Sequence, residues 1–149
     1  MMLKTHTAFS LFLSLLITKN FELANPFLFT AIAMAASVMP DIDHANSFIG
    51  KKLEFLSIPI RFFFRHRGAF HNMFFVIVVC FPAYLYSKEA AAAILAGYGS
   101  HLLLDSLTRN GIQPLYPLKI KLKGFFRTNS FLEHLLFLII TAAVIYQLL

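Results

Sequence analysis

Five stretches of the chain are apolar enough to read as helices: about Ala8 to Thr18, Leu23 to Met39, Ala69 to Tyr86, Ala90 to Leu107 and Phe131 to Leu149. They are continuous runs without period-two alternation, which excludes the strands of a membrane barrel and predicts α-helices. A helix needs about 20 residues to cross roughly 30 Å of hydrocarbon, so the last three approach spanning length. The first two must borrow flanking residues or sit in a thinned bilayer. Pro26 suits the first position of the second helix, and Pro82 predicts a kink in the third, tolerable where neighbouring helices satisfy the freed carbonyl. Between the second and third runs, Leu53 to Phe64 (LEFLSIPIRFFF) is too short and interrupted to span and reads as interfacial, its aromatics at the headgroup boundary. Lys4 and the apolar run behind it have the outline of a signal peptide. No small-x-small pair follows, since Thr18-Lys19-Asn20 and Glu22-Leu23-Ala24 both place a large or charged residue where a small one is needed, so the segment is expected to be retained. The pattern predicts an all-α polytopic membrane helical bundle, about five hydrophobic helices plus an interfacial segment, forming one domain over residues 1–149.

Composition agrees with that class. Hydrophobic residues make up 58% of the chain and charged residues 13%, and 18 Phe exceed what a soluble domain of this size uses. A mean hydropathy of +0.71 excludes disorder, and the lone Cys80 excludes an internal disulfide. A net charge of +6 would on a soluble protein point to nucleic acid; here it first bears on orientation.

If all five segments span, residues 1–7, 40–68 and 108–130 share one side of the membrane. That side carries Lys4, Lys51, Lys52, Arg61, Arg65, Arg67, Arg109, Lys119, Lys121, Lys123 and Arg127, whereas the other has Lys19 and Lys88. The positive-inside rule makes the basic side cytoplasmic. The same distribution argues against nucleic-acid binding: the basic residues follow topology and form no recognisable DNA-binding motif. They suit membrane lipids as partners, each surface cation adding about 1 kcal/mol of attraction to anionic headgroups.

The alternation makes a second prediction that was not built into it. His6, His44, His66, His71, His101 and His134 all fall on the cytoplasmic side or at a segment end facing it, with Asp41, Asp43, Glu54, Asp105 and Glu133. His101 and Asp105, spaced i,i+4, share a helix face and can hold one cation; as an isolated pair at a helix end they equally suit water. Asp41 and Asp43 alternate, so in an extended stretch both carboxylates point the same way, although alone they read as a solvated loop. His66 and His71, five apart, do not share a continuous helix face, which leaves His66 to the loop with Gly68 permitting the bend. Arg67 suits bidentate binding of a phosphate or carboxylate, or a plain interfacial position. His6 alone suits a cap, and Glu133 in the first turn of the last segment suits the helix dipole. Taken together the structural readings weaken, because ionisable groups at membrane-segment ends are costly and face a partner or cavity. Imidazole with carboxylate and no thiolate in reach favours Zn, Mn, Fe or Co, one or two ions per chain.

The blocks PDIDHANSFIGKKL, HRGAFHN and GYGSHLLLDSLTRNGIQPLYP, with His6 ahead of them and a Glu near the final segment, resemble the YdjM-like family of membrane-bound metal-dependent hydrolases. The resemblance covers most of the chain and is looser after Pro117. It implies an inner-membrane protein with His6, Asp41, Asp43, His66, His71, His101 and Asp105 as the metal-binding set. On this reading the cations activate water for attack on an ester or phosphoester, a lipid or other amphiphile, at the cytoplasmic face. Arg67 stabilises developing negative charge, and Glu133 or a carboxylate not bound to metal serves as general base. The alternative is divalent-metal binding, sensing or transport without hydrolysis. Transport sites lie near the midplane on broken helices, whereas the stretches Phe74 to Tyr84 and Phe137 to Tyr146 carry no charge. A third reading makes the metal structural, tying the helices at one end.

Overall fold

The structure is a computed structural model that describes residues 1–43, 71–116 and 118–149, with the backbone alone at 42 and 43. Among the described residues it is all-α, with five α-helices: α1 (Leu3–Asn20), α2 (Pro26–Ala36), α3 (Met73–Tyr86), α4 (Lys88–Ser106) and α5 (Phe131–Leu148). A 3-10 turn, Met39–Asp43, follows α2.

The helix starts are set by local chemistry. Asn25 accepts a hydrogen bond from the Leu28 amide at 2.9 Å, with Pro26 entering the helix behind it. Asn72, Ser87 and Ser130 cap α3, α4 and α5 in the same way. The Asn72 cap moves the start of α3 to Met73, later than the apolar run that begins at Ala69, because its side chain takes the place of the missing intrahelical acceptor. α1 starts earlier than its apolar run, at Leu3, so the polar turn with Lys4, Thr5 and His6 is helical. Helix α3 continues through Pro82 to Tyr86.

By length and composition α5 is the one described helix long and apolar enough to cross a membrane, while α2 with the turn after it, Pro26–Asp41, and α3, Met73–Tyr86, are shorter apolar segments. Helices α1 and α4 have 18 and 19 residues but are diluted by polar side chains, among them Thr5, His6, Ser10 and Ser14 in the first and Ser100, His101 and Asp105 in the second. Those residues are buried or half-buried, so the dilution marks an inward polar face.

Helix α4 is the centre of the bundle, packed against α1, α2 and α3, with α5 lying on α1. One apolar cluster joins Val76, Tyr98, Leu102 and Ile112; a second joins Phe29, Ala33 and Ala93. Small residues allow the second: a Cβ built on Gly97 would lie 1.9 Å from the Ala33 carbonyl oxygen, so α2 and α4 meet backbone to backbone. Ser10 Oγ donates to the same Ala33 carbonyl at 3.0 Å. Outward, α3 exposes Phe74, Ile77, Val78 and Phe81, and α5 exposes Phe131, Leu138, Ile139 and Tyr146, faces suited to lipid.

Residues 107–116 and 118–130 fold back against one another between α4 and α5. Ile112 and Leu122 exchange both main-chain hydrogen bonds, at 3.0 and 2.9 Å, and the Arg109 amide donates to the Phe126 carbonyl at 2.9 Å. Gly111, at φ +64, makes the bend where the Leu122 carbonyl leaves no room for a Cβ.

Candidate metal centre

Four elements bring their polar residues to one end of the bundle. α1 supplies His6, the turn after α2 supplies Asp41, the residues before α3 supply His71, and α4 supplies His101 and Asp105. His101 Nε2 lies 3.5 Å from Asp105 Oδ2, the result of i,i+4 spacing on a helix that continues to Ser106. Asp105 Oδ2 is 3.7 Å from His71 Nε2, Asp105 Oδ1 is 3.2 Å from His6 Nε2, and His101 Nε2 is 3.9 Å from Asp41 Oδ1. The His6 and His101 rings stack with centroids 3.9 Å apart, and His71 meets His101 edge-on at 5.4 Å.

Two donor groups emerge among the described residues, His6 with His101 and Asp105, and Asp41 with His71 and His101, each with one ligand atom per residue within 4.8 Å of the others. Donors about 2.1 Å from a tetrahedral cation stand about 3.4 Å apart, so these separations match ligands around an ion. The hydrogen bonding points the same way. Both ring nitrogens of His6, Nδ1 of His71 and Nε2 of His101 are buried without a hydrogen-bond partner. A buried polar atom so orphaned is costly, and an ion is one of the few things that repays it. The residues therefore fit a divalent cation.

His101 is also oriented for the task. Its Nδ1 lies 2.8 Å from the Ser37 carbonyl, and a carbonyl only accepts, so Nδ1 carries the proton and Nε2 presents its lone pair. The Ser37 carbonyl is free to accept because Ser37 caps the C-terminus of α2, where main-chain acceptors have no intrahelical donor. His71, which precedes α3, has its pKa pushed down to about 4, chiefly by burial. It is neutral at pH 7, the form that ligates a metal.

Asp41 reaches the centre from a 3-10 turn, where an extended stretch was expected. The period-two alternation of an extended strand therefore does not apply to this segment. The side chain of Asp43, together with His66 and Arg67, lies outside the described residues.

Glu133 is fully buried but stands apart from both donor groups. Its Oε1 accepts from the Met2 amide and its Oε2 from the Asn129 amide, both at 2.6 Å. One carboxylate thus ties the start of α1 to the start of α5. His134 is turned back on its own helix, its Nδ1 2.9 Å from the Ser130 carbonyl. Two partners had no signal in the sequence: the Ser37 carbonyl on His101, and the Met1 ammonium group 2.5 Å from Asp105 Oδ1. Main-chain groups carry no residue-type signature, and only a C-terminal helix position for Ser37 hinted at a spare acceptor.

An all-α chain with an apolar helix of membrane-crossing length and a buried His/Asp cluster at one end of its bundle is, by fold and site, a membrane-type protein with a metal-binding-like centre. The sequence profile described as YdjM inner membrane protein matches residues 1–148, and the chain belongs to that family. It is 34% identical to YvsG of Bacillus subtilis (strain 168) over 126 residues, covering 82% of this chain and 79% of that one. It is 37% identical over 92 residues to the inner membrane protein YdjM of Escherichia coli (strain K12), covering 57% of this chain and 47% of that one, and equally to YdjM of Shigella flexneri. No solved structure matches.

Proposed function

We propose that the chain is a multi-pass inner-membrane, metal-dependent hydrolase whose centre opens at the cytoplasmic face and acts on an ester or phosphoester, with an amphiphilic lipid as the substrate class. The observation that carries the metal is the set of buried nitrogens without hydrogen-bond partners on His6, His71 and His101, three histidines whose Nε2 atoms lie 3.2–3.9 Å from two carboxylates. Inner-membrane location rests on the family and on α5. The cytoplasmic orientation rests on the one-sided Lys and Arg distribution.

A Zn, Mn, Fe or Co ion would supply Lewis acidity to a water and to the scissile group. Asp41, His71, His101 and one oxygen of Asp105 would hold it. His101 has a single free lone pair, so the two donor groups cannot each claim it. Asp105 can serve both, since Oδ2 faces His71 and His101 while Oδ1 faces His6. His6 and Asp105, with Asp43 and His66, would be the residues to hold a second ion. Arg67 is assigned to the developing negative charge. The general base is a carboxylate not bound to metal. For Glu133, the two main-chain amides already on its oxygens favour positioning of α1, and with it His6, over proton transfer.

The test is elemental analysis of detergent-purified protein with a hydrolysis assay on phospholipid analogues, for wild type, His101→Ala and Asp105→Ala. One or two equivalents of metal and a metal-dependent activity, both lost in the variants, are expected. Metal without hydrolysis would assign the site to binding or sensing, and wild type still empty after reconstitution with all four metals would refute the reading.

A further inference from the structure

The segment between α4 and α5 brings together two arginines 18 positions apart in sequence. Its main-chain pairing sets Arg109 against Phe126, and Arg109, Asn110, Phe126, Arg127 and Thr128 line an open cleft of about 220 Å³. Every polar side chain in that lining can donate a hydrogen bond, and none is acidic. Arg109 Nε donates to the Phe125 carbonyl at 3.3 Å, which anchors the guanidinium and leaves its terminal nitrogens free of that bond. Neither arginine pairs with a carboxylate among the described residues: Asp105 is taken up by the histidines and the Met1 ammonium, Glu133 by two amides. Two unneutralised guanidinium groups with amide and hydroxyl donors between them match a phosphate, whose oxygens accept fork geometry.

Position along the chain gives the cleft its setting. Arg127 lies four residues before Phe131, the first residue of α5, so it stands within about 13 Å of the start of the membrane-crossing helix. Polar headgroups occupy about 5–7 Å on each side of the hydrocarbon. Beside the cleft, Leu118, Ile120, Leu122 and Phe125 are exposed, alternating with Lys119, Lys121 and Lys123, which are also exposed. Apolar side chains interleaved with cations suit a headgroup boundary.

We propose that the Arg109–Arg127 cleft is a phosphate-binding subsite at the membrane surface, taking the phosphate of a phospholipid headgroup or of a free phosphate ester. The inference rests on α5 crossing the membrane and is independent of whether the metal centre hydrolyses anything. The experiment titrates the full chain, in non-ionic detergent, with dioctanoyl phosphatidylglycerol, dioctanoylglycerol, glycerol 3-phosphate and inorganic phosphate, reading bound ligand by native mass spectrometry. Phosphatidylglycerol is expected to bind at least tenfold more tightly than dioctanoylglycerol, and Arg109→Gln/Arg127→Gln to weaken it at least tenfold with metal content unchanged. Lys119→Gln/Lys121→Gln/Lys123→Gln, which removes more charge, is expected to weaken it less than threefold. Binding of the lipid alone assigns the headgroup as the source, and displacement of it by glycerol 3-phosphate or inorganic phosphate assigns the free ester. Where the double glutamine variant does not fold, Arg109→Lys/Arg127→Lys takes its place, keeping charge but losing the fork, with weakening of at least threefold expected. Wild type binding phosphatidylglycerol no better than dioctanoylglycerol, undiminished binding in the variants of Arg109 and Arg127, or an equal loss in the Lys119→Gln/Lys121→Gln/Lys123→Gln variant would each overturn the proposal. Metal content, read on the same samples, separates this failure from a failure of the metal centre.

Discussion

Gly97→Ala tests the link between helix packing and the metal centre, with Gly99→Ala as its internal control. Both glycines lie in α4, so each substitution gains about 1 kcal/mol of helix propensity. Around Gly99 a new Cβ meets nothing within 4 Å. At Gly97 it would meet the Ala33 carbonyl oxygen at 1.9 Å, where real Cβ atoms essentially never come closer than 3.0 Å. The obstacle is main chain and no side chain can swing aside, so α2 and α4 must part by roughly 1 Å, placing the cost near the upper end of overpacking, about 3 kcal/mol. The net loss is about 2 kcal/mol, or about 4–8 °C in Tm by the scaling for a chain of this size. The damage extends to the site because α2 carries Ser37, whose carbonyl is 2.8 Å from His101 Nδ1, and leads into Asp41. Parting the helices by 1 Å breaks that hydrogen bond, and loss of such an orienting partner costs 10–100-fold in metal affinity. Thermal unfolding in detergent and metal titration, run on both variants, are the assays. Gly97→Ala matching Gly99→Ala in both would refute the argument that backbone contact between α2 and α4 sets the site.

Three further outcomes follow from the geometry. Asp105→Ala, which removes the carboxylate that faces His6, His71 and His101, should remove more metal than Asp41→Ala, which removes the one that faces His101; elemental analysis showing the reverse order would displace Asp105 from the centre of the site. Glu133→Gln presents an NH2 group to one of two amides that now meet carboxylate oxygen, leaving a buried donor unpaired at about 1–3 kcal/mol, so a Tm equal to wild type would show that the α1–α5 tie is not formed in solution. Stripping metal with a chelator should lower Tm, and restoring a cation at 100 times its Kd should return about 2.7 kcal/mol; a Tm indifferent to chelation would mean that the imidazoles are satisfied without metal.

The helices were legible because apolar runs and caps are local properties. Each of the five runs coincides with a helix, and Asn25-Pro26 set the start of α2 as its residue types require. Boundaries at polar ends were less legible: hydropathy reads side chains one by one and missed that Lys4, Thr5 and His6 are helical, their turn docking inward against α4. Of the five expected spans, length and composition single out α5 among the described helices, for a related reason. An average over a window cannot say whether a polar residue faces lipid or a partner, and the inward residues of α1 and α4 lower their hydropathy, leaving α5 as the described helix that passes by composition alone.

For the site, the sequence by itself determined which chemistry was available: imidazoles and carboxylates without thiolate, placed near segment ends, with His101 and Asp105 bound to share a face through helical period. Tertiary structure decided which of them meet. His6 and His101 stack across 95 positions of chain because α1 packs on α4, and Asp41 approaches His101 because two glycine- and alanine-lined helices touch through their backbones. It also separated Glu133 from the donor groups, spending its oxygens on two amides. Contacts of this kind depend on how helices dock, a long-range packing outcome that residue spacing within one segment does not encode, and partners such as the Ser37 carbonyl belong to the main chain and are silent in any sequence.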